Sequence, residues 1–170
     1  TNSIKLYHNT IVGYRWGIKA EQALVSSASP YSFQLSDIDI KNNIFYQIRE
    51  SQYTLDDDGT WINSATPRNW VSDYNNFTTA DNFAWNSNTG FQMWQASTNN
   101  DRNSSQCRPI FWHMDSDSSY RLLNTDHCAI DRGVEVKGVE YDRDGNSRIS
   151  GKAPDLGTVE IAGNSGGMQL

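Results

Sequence analysis

No run of about 20 apolar residues occurs in the 170-residue chain, so no helix of it is apolar and long enough to cross a membrane. Basic clusters are missing too: 14 Lys and Arg stand against 20 Asp and Glu, for a formal net charge of −6. Sequence-independent binding to nucleic acid needs grouped cations to displace counterions, so neither nucleic acid nor a membrane is expected as a partner. A Gly-rich phosphate loop is absent, which removes a common route to nucleotide chemistry. No cofactor is implied. Cysteine is reduced to Cys107 and Cys128, 21 positions apart. A bond between them would restrict the unfolded chain by about 3 kcal/mol, and whether it forms depends on an oxidising compartment.

Only 36% of residues are hydrophobic, yet there are 6 Trp, 8 Tyr and 6 Phe among many Asn and Ser. Few aliphatics beside many aromatics and turn-formers predict short strands joined by polar corners, with little helix. The length suits one domain, able to bury roughly 70% of the surface its unfolded form exposes. The clearest pattern is Asp37 to Tyr46, DIDIKNNIFY, where Ile38 and Ile40 alternate with Asp37, Asp39 and Lys41 as in a half-buried strand. An Asn pair follows. Ser3 to Val12 and Val71 to Thr79 repeat the device, and aligning the second Asn of each place gives Asn9, Asn43 and Asn76, spaced 34 and 33 residues apart. A near-constant offset marks a coil repeat. Asn tolerates the left-handed conformation of a sharp bend and carries an amide that bonds to its neighbours, so stacked corners would form an Asn ladder. Asn pairs also punctuate ordinary turns. The expected fold is therefore all-β, a right-handed parallel β-helix or solenoid with a C-terminal cap segment.

The first coil places Ile4, Leu6, Ile11, Val12, Ile18 and Ala20 in the core, with Gly13 and Gly17 as corners, and a loop containing Pro30 runs from Ala23 to Tyr31. A second coil returns through Gln47 to Tyr53. Leu55 to Trp61 then forms an acidic loop, either a cation site or a solvated turn; three consecutive Asp cannot all face one ion. A third coil starts near Trp70 and carries an excursion over residues 82–106, with a short helix expected at Gln92 to Ser97. Its Trp85, Phe91, Met93 and Trp94 are read as anchors to the body rather than as sugar-stacking platforms. The division is thus coils over residues 1–106 and a terminal coil with cap over 107–170, in a single domain.

Five motifs end the chain: Pro109-x-Phe111, Tyr120-Arg121-Leu122, Ala129-Ile130-Asp131-x-Gly133, Asp142-x-Asp144-Gly145-Asn146-x-Arg148, and Pro154-Asp155-Leu156-Gly157-x-x-Glu160. This succession resembles the terminal segment of bacterial right-handed parallel β-helix proteins of the pectate-lyase-like fold, the ending labelled a choice-of-anchor Q domain. The resemblance covers roughly Asp37 to Ile161 and departs at Cys128, where the family has Pro. It implies a secreted or cell-surface location and polysaccharide as partner. Fold alone does not imply catalysis. Because Ile4 and Leu6 already belong to a strand, the chain reads as a piece whose signal peptide and earlier coils lie upstream. Docking onto such coils, or self-association, is expected through the open N-terminal end.

The DxDGN run at Asp142 to Asn146 fails as an EF-hand, since the place of the bidentate Glu holds Ala153, and reads as a turn closing a hairpin. Asp131 and Asp155 read as acceptors for backbone N–H groups beside Gly turns. Cys107, His113, His127 and Cys128 can be written as a zinc set, but adjacent His127 and Cys128 are not expected to converge, and no metal is expected. The expected sugar-contacting face is Lys5, Tyr7, Asp37, Asp39 and Lys41. Asp37 and Asp39 would both point outward about 6.5 Å apart, near the separation of hydrolytic carboxylate pairs. The offset of 34 also sets Lys5 beside Asp39, so a cross-coil ion pair accounts for the same charges. The expected function is a structural or glycan-contacting module without catalysis of its own. The alternatives are a polysaccharide lyase or glycoside hydrolase using this face, or a surface adhesion or assembly protein.

Overall fold

The computed structural model describes residues 3–21, 37–56, 70–79, 83–84, 90–112 and 120–161. The loop Ala23–Tyr31, the run Asp57–Trp61, Trp85 and His113 lie outside them. The described chain is mostly strand, with one helix, and its larger sheets are parallel. Three successive passes each place one strand in each of three sheets. Strands β1 (Ile4–Tyr7), β4 (Ile38–Lys41) and β7 (Trp70–Asp73) form the first sheet. The second contains β2 (Thr10–Val12), β5 (Ile44–Tyr46) and β8 (Asn76–Phe77), and is extended by β10 (Ser105–Gln106). The third contains β3 (Trp16–Glu21), β6 (Ser51–Asp56) and β9 (Phe83–Ala84).

Register keeps like on like. Ile4 pairs with Ile38 and Ile38 with Trp70, while Ile11 pairs with Phe45 and Phe45 with Phe77. The offset is 34 residues from Asn9 to Asn43 but 32 from Asn43 to its next partner, which is Asn75 and not Asn76. The expected corner also divides its work between two residues. The left-handed conformation belongs to His8, Asn42 and Tyr74 (φ 53°, 60° and 54°), and the following Asn9, Asn43 and Asn75 carry the amide ladder. Gly13 and Gln47 share a second left-handed corner. Gly17 is no corner; it lies inside β3, where a Cβ would come within 2.8 Å of the Phe45 ring.

Two apolar clusters form. Ile38, Ile40, Phe45, Tyr53, Trp70 and Phe77 face one another between the sheets, with Phe45 and Phe77 stacked at 5.0 Å. Burying each such aromatic stabilises by about 2 to 3 kcal/mol. Helix α1 (Phe91–Thr98) spans slightly more than the expected Gln92 to Ser97 and lays Phe91 and Trp94 onto Phe77, Phe83 and Trp70. Met93, grouped with the anchors, is instead 58% exposed. Beyond α1, residues 100–105 bond along β7 and β8, so that edge of the sheets is covered.

The second cluster lies on the outer side of β5. Ile44 and Tyr46 are buried there against Leu122, Ala129 and Leu156, and Val12, expected in the inner core, joins them. The terminal segment is fastened by the Cys107–Cys128 disulfide (Cα separation 5.5 Å) and by the antiparallel pair β11 (Phe111–Trp112) and β12 (Arg121–Leu122). It then runs along the His8 and Asn42 corner: Gly157 N–H donates to the Asn42 carbonyl at 2.8 Å, and Val134 N–H to Asn42 Oδ1 at 2.9 Å.

Candidate functional site

The expected sugar-contacting face is the outer surface of β1, β4 and β7. Alternation buries Ile38 and Ile40 and leaves Asp39 and Lys41 half-buried. Lys5 pairs in register with Asp39, and Tyr7 with Lys41. The cross-strand bond, however, comes from Tyr7, whose hydroxyl donates to Asp39 Oδ2 at 2.6 Å, and the ion pair is within one strand, Lys41 Nζ lying 3.0 Å from Asp39 Oδ1. Burial and then the Asp39 carboxylate push the Tyr7 phenol up to about 12. Asp37 precedes β4 in the left-handed region (φ 62°), so strand alternation does not set its direction and the outward carboxylate pair read from the spacing does not follow. The third pass adds Val71, 44% exposed, and Asp73, whose carboxylate accepts from the Asn103 backbone and amide.

A second constellation was not legible as a unit. His8, Asn42, Asp155, Glu160, Arg148 and Asp142 are all buried and meet where the terminal segment crosses the corner. Asn42 Oδ1 accepts from Val134, so its NH2 group faces His8 Nε2 at 2.9 Å, and His8 Nδ1 lies 3.1 Å from the Asp155 carbonyl. An amide donor on Nε2 and a carbonyl on Nδ1 demand a neutral ring protonated at Nδ1. Burial, then the Arg148 charge, lowers the His8 pKa to about 4. Arg148 donates to the Gly157 and Thr158 carbonyls and lies 3.8 Å from Glu160 Oε2. Burial, assisted by the charge of Asp155, raises Glu160 to about 7 against hydrogen bonding and Arg148. Burial likewise raises Asp155. Burial alone would raise Asp142 as well, but donors from Glu160, Asn146 and Asp144 outweigh it and leave it lowered. Asp142, Arg148, Asp155 and Glu160 are motif residues; what joins them to His8 and Asn42 is tertiary.

Asp142 closes the expected turn, its Oδ1 accepting the N–H groups of Asp144 and Asn146 beneath a Tyr141–Ser147 bridge. Asp131 accepts from Lys152 and Ala153, and Asp155 from Asp131 and Ile161. Contrary to the expectation for adjacent residues, the His127 and Cys128 ligand atoms do converge: with Cys107 they lie within 4.8 Å of one another. Both sulfurs are joined in the disulfide and are not thiolates, the form that ligates metal. No family model, curated protein or solved structure matches the chain.

Proposed function

We propose that the chain forms the terminal coils of a right-handed parallel β-helix in a secreted or cell-surface, carbohydrate-associated protein, and that it contacts polysaccharide without cutting it. The observation that carries this reading is the register: three passes lay strands on the same three sheets in the same order, joined at one corner by an amide ladder. The motif succession from Pro109 to Glu160 supports the family, and a disulfide suits an oxidising compartment. The face on β1 and β4 offers Lys5, Tyr7, Asp39 and Lys41, with Asp37 just ahead of β4, as charged and aromatic groups in adjacent strands to which an extended glycan can bond.

The lyase or hydrolase alternative finds less support there. A general base works best with a pKa near the operating pH, and Tyr7 at about 12 keeps its proton. The Asp39 carboxylate is held by Tyr7 and Lys41. The ends of the three sheets at β1, β2 and β3 lie on one side, which suits docking of further coils or of a second copy. The test is a panel of uronate and neutral polysaccharides assayed for binding and for release of unsaturated or reducing ends. Binding without release is expected; release that disappears in Asp39→Ala overturns the non-catalytic reading.

A further inference from the structure

A groove of about 680 Å³ opens on the terminal segment, lined by residues 135–141 and 147–149 and by Pro154, with Arg148 and Pro154 buried among them. We propose that this groove is a glycan subsite, separate from the face on β1 and β4, and that it takes a neutral sugar ring stacked on Tyr141. The proposal rests on the reading that the protein contacts carbohydrate.

Tyr141 is 64% exposed and Ile149 54% exposed, an aromatic and an aliphatic side chain bordering one concavity. A tyrosine presents a flat apolar ring with a polar tip, the form suited to the C–H face and hydroxyl rim of a pyranose. Around it stand exposed Glu135, Lys137 and Glu140, and none of their charged groups bonds another described residue. Their donors and acceptors are open to hydroxyl groups. The exposed charges are two acids, Glu135 and Glu140, against one base, Lys137, and the buried Arg148 is turned onto the Gly157 and Thr158 carbonyls beside Glu160, so nothing in the groove selects an anionic sugar. The face on β1 and β4 differs: there Tyr7, Asp39 and Lys41 satisfy one another.

The groove is held before any ligand arrives. Val139 N–H bonds the Val136 carbonyl at 3.0 Å, Arg148 N–H bonds Glu140 at 2.9 Å, and Gly133 N–H bonds Pro154 at 2.8 Å. Beneath them the Arg148 guanidinium bridges the Gly157 and Thr158 carbonyls. A site that needs no ordering on binding loses less affinity to conformational entropy, and the volume lies in the range of small-ligand sites.

The experiment is an NMR titration of the whole chain with a neutral gluco-oligosaccharide tetramer and, separately, with tetragalacturonate. The neutral tetramer is expected to move the Ile149 methyl and Tyr141 ring signals. Tyr141→Ala should weaken its binding about tenfold or more with the melting temperature unchanged, and Tyr141→Phe should retain most of it. If a sugar binds but Tyr141→Ala leaves its affinity unchanged, while Tyr7→Ala or Lys41→Ala reduces it, the subsite falls and the glycan-contacting reading stands. If neither tetramer binds, both fall.

Discussion

Asn43 Nδ2 donates to Asn75 Oδ1 at 3.0 Å, and the same oxygen accepts the Asn43 backbone N–H at 2.9 Å. Asn43 Oδ1 in turn accepts both the N–H and the amide of Asn9. Each amide therefore belongs at once to its own corner and to its neighbour, and each carries the next.

Removing the middle member strands donors and acceptors on both sides. Asn43→Ala is expected to cost about 3 kcal/mol, because fully buried groups lose their partners. Asn76→Ala, whose amide reaches only Ser105 among the described residues, should cost about 1 kcal/mol. Urea unfolding of the two variants, compared at constant m-value, checks the ranking; equal losses would deny the ladder its role.

The ladder ends in a carboxylate. Asp101, itself fully buried, accepts at Oδ1 from Asn75, Ser72 and Ser104, and at Oδ2 from Trp94 Nε1 at 2.9 Å. An ionised carboxylate accepts only, so it stops a chain of donors. Asp101→Asn would set an NH2 group against donors and should destabilise by about 3 kcal/mol. A red-shifted Trp emission as α1 loosens is the accompanying signal.

Two buried groups in the corner cluster have opposite pH effects. The folded pKa of His8 is about 4 against 6.5, so the unfolded chain binds more protons between these values and stability is lost as pH falls through them. That of Glu160 is about 7 against 4.5, so the folded chain binds more protons there and stability is lost as pH rises toward 7. From about pH 4.5 to 6.5 the slopes oppose each other, and the wild type should be nearly flat. His8→Gln should expose the Glu160 slope, falling with pH by up to about 1.4 kcal/mol per unit, and Glu160→Gln the reverse. Melting temperatures across pH 4 to 7.5 decide it.

Reducing the Cys107–Cys128 bond frees a loop of 21 positions and should lower stability by about 3 kcal/mol. Because the bond ties the terminal segment together beside Leu122 and Ala129, proteolysis of the reduced protein should begin between residues 107 and 128 while the strands of the first two passes resist.

Much of the strand pattern was legible because it is local. Alternation of Ile38 and Ile40 with Asp39 and Lys41 gives the inner and outer sides of β4 without reference to anything distant, and the recurrence of Asn after each such strand gives three passes. The choice of Asn75 over Asn76 was not legible, since either Asn of a pair satisfies the spacing. Pairing Trp70 with Ile38 shortens the offset to 32 and settles it. Nor did the Ile44-Phe45-Tyr46 run announce what covers its outer side, although three consecutive apolar residues are a signal of burial on both faces.

By itself the sequence determined which residues of β4 alternate, that an Asn corner recurs after each such strand, and that Asp142 turns back on its own backbone, because these depend on neighbours a few positions away. Tertiary structure alone decided that His8 meets Asp155, 147 residues further on, that Asn42 holds Val134, and that the groove beside Tyr141 stands on Arg148. Burial is what lowers the His8 pKa and raises those of Asp155 and Glu160. Burial is a property of what lies across the fold, which no periodicity along the chain records.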